Sequence, residues 1–65
     1  MGSRHDIYKA AEALIARHGT SAREYAEQQR LMRAFQHDAA EASAWHQISI
    51  AIASLNTFRA LGLVH

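Results

Sequence analysis

The chain contains no cysteine and no proline, and only three glycines. Without cysteine there is no disulfide and no thiolate metal site. Without proline nothing forces a helix to break. Charge of one sign is also scarce: seven lysines and arginines face six aspartates and glutamates, for a net +1 with the histidines neutral. So small an imbalance makes no electrostatic footprint for nucleic acid or an anionic membrane. No apolar run approaches the roughly 20 residues that span a bilayer. The first residues carry no apolar core of a secretory signal. These absences lead to the expectation of a cytoplasmic protein without membrane association.

What the chain does have is alanine, at fourteen of its 65 positions. Alanine has the highest intrinsic helix propensity. The expected fold class is therefore all-α, in one domain covering residues 1–65. A domain of this size buries only about 60% of its unfolded surface. Disulfides being excluded, tight helix packing or oligomerisation must supply the remaining stability.

Local signals divide the chain into three expected helices. Ser3-Arg4-His5-Asp6 has the form of a capping box, with Asp6 in place of the usual glutamate. Ile7, Ala11, Leu14, Ile15 and His18 follow at helical spacing, and Gly19 suits a left-handed stop after the basic last turn of Arg17 and His18. The first helix is thus expected at about 4–18, after a flexible start at 1–3. Ser21-Ala22-Arg23-Glu24 is a second capping box and opens a helix over about 21–36. On its wet face Arg23–Glu27 and Glu27–Arg30 are spaced to pair. Asp38, with Glu41 three residues on, caps a third helix over about 39–60. That break is the weakest, because no glycine or proline enforces it. Gly62 ends the third helix, leaving 62–65 as a short tail.

The most informative stretch is Trp45–Leu55. Ile48, Ile50 and Ile52 alternate with the period of a strand, but no second strand exists to pair with one, and the flanks are alanine-rich. Read as a helix, Trp45, Ile48, Ile52 and Leu55 form one stripe, while Ile50 lies roughly 160–200° away from Ile48 and Ile52. The expected core is Ile7, Leu14, Ile15, Tyr25, Met32, Trp45, Ile48, Ile52 and Leu55. Left over are Leu31 or Phe35, Ile50, Phe58, Leu61 and Leu63. A contiguous apolar set of that kind marks an interaction surface, so Ile50, Phe58, Leu61 and Leu63 are the candidate protein interface.

The pattern Ile7-Tyr8-x-x-Ala11-x-x-Leu14-Ile15-x-x-His18-Gly19-x-x-Ala22-x-x-x-Ala26, then Arg30, Asp38 and Trp45-x-x-Ile48-x-x-Ala51-Ile52-x-x-Leu55, resembles a family of small helical proteobacterial proteins of unknown function. The resemblance spans residues 6–55. It implies a bacterial protein with a helical fold of about this length, and it implies no activity. The chain departs from the family where a Gly-Asp pair commonly precedes the third helix: it has His37-Asp38, on a connection one residue shorter. Residues Thr57–His65 extend past the matching part.

Candidate chemistry is sparse. Five histidines (5, 18, 37, 46 and 65) invite a metal reading. His37 and Glu41 are four apart, but His46 is out of phase with them, and no His-Glu-x-x-His element occurs. His18 is expected to serve as a helix C-terminal residue, its ring bonding a free carbonyl. Trp45 is expected to be a core anchor with its indole N–H near the surface. No nucleophile elbow and no glycine-rich phosphate loop is present, and Asp38, Glu41 and His46 carry no mark of desolvation. The expectation is a non-enzyme with no catalytic residue, metal or cofactor. It self-associates, with a dimer favoured, and binds or regulates an unidentified protein. The alternative is a nucleic-acid-binding regulator using Arg23, Arg30 and Arg33, disfavoured because Glu24, Glu27, Asp38 and Glu41 are interspersed among them.

Overall fold

The computed structural model describes residues 4–62, and all of its regular structure is helical, with no strand among those residues. Helix α1 covers Arg4–His18, α2 Ala22–Phe35 and α3 Ala39–Ala60. Ser3 of the first capping box and Leu63 of the candidate interface lie outside the described residues. The alternating isoleucines are helical, in the middle of α3.

The helical residues form two unbroken runs, 4–35 and 39–60, rather than the three separate helices expected, because α1 passes into α2 with no non-helical residue between them. The expected clean start at Ser21 does not occur. Gly19, at φ +58°, bends the chain after α1, and Gly19–Ser21 form a 3-10 turn that feeds directly into α2. Ser21 has helical dihedrals (φ −89°, ψ 0°) and makes no side-chain cap bond. A capping serine needs an extended backbone to swing its hydroxyl onto the following amides, and the 3-10 turn denies it that.

The second break is sharper. His37 adopts φ +60°, the left-handed conformation in which histidine is tolerated better than most side chains. Its amide donates to the Ala34 carbonyl at 3.1 Å, and the Asp38 amide to the Arg33 carbonyl at 2.9 Å. These two bonds make a Schellman motif. Asp38 then turns its carboxylate forward and accepts from the Glu41 amide at 3.1 Å, capping α3 as expected. One helix ends and the next starts within three residues, and the amides of all three, Gln36, His37 and Asp38, are bonded.

This turn folds α2 and α3 back on each other. Helix α1 runs in the same sense as α3: Ile7 and Tyr8 lie beside Gln47–Ala51, and Ile15 and Thr20 lie beside Asn56 and Arg59. The molecule is elongated, 39 × 23 × 16 Å. Its interior is built from small side chains. Ala11, Ala22, Ala26 and Ala51 are buried with Ile15 and Ile52, and Ile7, Tyr8, Leu14, Trp45, Ile48 and Leu55 pack around them half-buried. Alanine at 22 and 26 lets α2 approach α3 closely, as small residues do at helix contacts.

Met32, expected in the core, is 51% exposed, and Phe35 is 88% exposed. The reason is tertiary. Helix α1 leans mainly on α3, so the C-terminal half of α2 has no third helix over it. An aromatic chain runs through the bundle: His18 stacks on Tyr25 with centroids 4.4 Å apart, and Tyr25 meets Trp45 edge-on at 5.9 Å. Trp45 is thus half-buried at the rim of the core, while His18 spends its ring on Tyr25 rather than on a carbonyl.

Candidate functional site

The principal concavity is a groove of about 910 Å³ along the outer side of the α2–α3 pair. Its apolar lining comes from Leu31 on α2 and from Ile50 and Phe58 on α3, all exposed. Polar side chains, among them Arg23, Glu24 and His46, rim it. Of the predicted interface residues, Ile50 and Phe58 line the groove, whereas Leu61 stands exposed beyond the end of α3. Ile50 also borders a smaller depression between α1 and α3, shared with Ile7 and Tyr8. It is therefore a ridge between two hollows. In the sequence Leu31 stands only among the leftover apolar residues, because which apolar residues of α2 face the groove depends on how α1 sits.

The groove has a polar floor. Ser49 is only 3% exposed, where the wall of α3 meets α2. It lines the groove together with Glu27, to which Arg30 donates through Nε at 3.3 Å and Nη2 at 3.0 Å. The Ser49 hydroxyl, then Arg30, hold the Glu27 carboxyl below its ordinary value, because each stabilises the ionised form; burial opposes them. The chain Ser49–Glu27–Arg30 is a clasp between the two helices. No sequence pattern announces it, since the Glu27–Ser49 match depends on how α2 and α3 register.

Of the two pairs spaced to form on α2, the one present is Arg30–Glu27, at 3.0 Å. Arg23 is exposed at the groove rim. Arg33 is half-buried, with Nη1 donating to Gln36 Oε1 at 3.4 Å and Nε left without a partner. The three arginines proposed for nucleic acid are thus not presented together: one is ion-paired, one is partly packed away, and one is open.

The residues weighed for chemistry also disperse. Asp38 is committed to the Glu41 amide, while His46 lies along the groove. Among the described residues no three histidines, aspartates or glutamates come together as a metal site, and no helix is long and apolar enough to cross a membrane. Compared with protein-family models, with curated proteins and with solved structures, the chain finds no match in any of the three.

Proposed function

We propose that this protein is a non-catalytic helical interaction module of the bacterial cytoplasm that self-associates, as a dimer, and binds or regulates another protein. The observation carrying this reading is the placement of the large apolar side chains. Leu31, Ile50, Phe58 and Leu61 are exposed along one groove and its end, while the interior is filled largely by alanine. A small domain that spends its small residues inside and leaves large ones outside around one groove has a surface to be covered. Ile50 and Phe58 are the centre of that surface, with Leu61 at its edge.

Sedimentation velocity over a concentration series tests the self-association. A mass of twice the chain at micromolar concentration is expected, and a clean monomer throughout that range would refute it. Nucleic-acid binding is the less favoured reading, since Arg30 is already neutralised by Glu27. Absence of any duplex DNA binding at low salt, where such contacts are strongest, is the expected result.

A further inference from the structure

We infer that the second copy docks on α3 in antiparallel orientation, along a seam formed by Ser43, Gln47, Ile50, Ser54, Thr57 and Leu61. The inference rests on the self-association reading and specifies its geometry. The spacing of these six residues is four, three, four, three, four. That is the seven-residue repeat by which one helix keeps a single face against another. All six are exposed except Ser54, which is half-exposed, so the seam lies outside the packed core.

Charge singles out a second copy as the occupant. From Ala42 to Phe58 the helix has no aspartate, glutamate, lysine or arginine. The flanking Glu41 and Arg59 are each nine residues from Ile50, about 180° around the helix at roughly 100° per residue. A two-fold axis sets each face against its own duplicate, so a charged face would repel itself. A face with no formal charge meets no such repulsion, and depletion of charge is what the centres of protein interfaces display.

Size fixes the direction. With the axis between Ile50 and Ser54, Ile50 meets the partner's Ser54, Gln47 meets the partner's Thr57, and Leu61 meets the partner's Ser43. Each large side chain then faces a small one. The Gln47 amide is placed to donate to the hydroxyl oxygen of the partner's Thr57. That oxygen keeps an acceptor site free, because its own hydrogen goes to the Ala53 carbonyl at 3.0 Å. A parallel pairing would put Leu61 on Leu61 and Ser43 on Ser43, and would align two helix dipoles that the antiparallel pairing opposes.

A seam one helix wide and 22 residues long covers only about 300 Å². A stable interface takes about 800 Å² from each partner, so a stable dimer must also cover the hollows on either side of Ile50 (Leu31, Phe58, Ile7 and Tyr8 included).

Because the chain lacks cysteine, single thiols report the geometry directly. Gln47→Cys and Thr57→Cys variants, distinguished by mass tags, are treated with a short bismaleimide separately and mixed. Only the mixture is expected to cross-link, by about tenfold over either alone, since like positions are separated by ten residues, about 15 Å along the helix. Cross-linking of either variant alone would overturn the antiparallel seam. So would a native dimer whose mixed variants do not cross-link. In parallel, Ile50→Asp is expected to weaken association about tenfold or more with helicity by circular dichroism unchanged; a native dimer indifferent to that substitution would overturn the seam and leave self-association standing. A monomeric native protein would overturn the self-association reading itself, and the seam with it.

Discussion

Ile50 and Ile52 are two residues apart on one helix and ought to behave as different kinds of residue. Ile52 is fully buried (0% exposed), whereas Ile50 is 53% exposed. Ile52→Ala removes three carbons from the interior, at about 0.8 kcal/mol each. The cavity that α1 and α2 fail to close raises the cost to about 3–4 kcal/mol. A domain of 65 residues at about 0.05–0.15 kcal/mol per residue has only about 3–10 kcal/mol in all. The substitution should therefore lower the melting temperature by more than about 10 °C and remove roughly a third or more of the total stability. Ile50→Ala, in protein dilute enough to be monomeric, should cost about 0.5 kcal/mol or less. Urea unfolding followed by circular dichroism is the assay, with the midpoint shifting at constant slope. A loss below about 1 kcal/mol for Ile52→Ala would refute the packing of α1 and α2 over this face. So would an equal loss for Ile50→Ala under dilute conditions. At high concentration the Ile50 variant should lose stability that depends on protein concentration, because association stabilises only the folded form.

Glu27→Gln should flatten the acid limb of stability. The Glu27 carboxyl is held below its ordinary value when folded, so its contribution is present above the unfolded carboxylate range and disappears as pH falls through the folded value. The side chain is more than a third exposed, which screens the clasp and keeps the effect under about 1 kcal/mol; urea midpoints across the acid range measure it. Asp38→Ala removes the acceptor for the Glu41 amide and should cost about 0.5–2 kcal/mol, read as a fall in thermal midpoint. His37→Gly should instead stabilise by about 0.5–1 kcal/mol, since φ +60° burdens a side chain with a Cβ and not glycine. An unchanged or lower midpoint would mean that the left-handed turn is not held in solution.

How much of this was legible in the sequence depended on the range of the interactions. The Asp38 cap was, because an aspartate and the amide three residues on need no third party. The Ser21 cap looked as strong and was absent, because Gly19 two residues earlier sends the chain into a 3-10 turn, and the backbone of Ser21 follows it. The helical stripe of Trp45, Ile48, Ile52 and Leu55 was readable from spacing alone. Met32 was misplaced because its burial depends on where α1 lies, which periodicity within α2 does not encode. The alanine interior was missed for a related reason: alanine states a helix preference in sequence, and only the approach of a second helix turns it into a contact. The Ser49–Glu27 link has no signature, since it joins residues 22 apart through the register of two helices.

The two faces of α3 obey one rule read in opposite directions. Inward, residues 45, 48, 52 and 55 step by three, four and three, and the side chains are large enough to fill the space between α1 and α2. Outward, residues 43, 47, 50, 54, 57 and 61 keep the same alternation of threes and fours, but three large side chains (Gln47, Ile50, Leu61) are mixed with three small ones (Ser43, Ser54, Thr57). A surface helix facing only water has no reason to drop its charges on that side, and polar or charged residues are what such a face ordinarily carries. Here the charges stop at Glu41 and resume at Arg59, both on the inward half of the turn from Ile50. On the proposed reading, α3 is patterned on both sides for contact with other helices, and this chain supplies helices to only one of them.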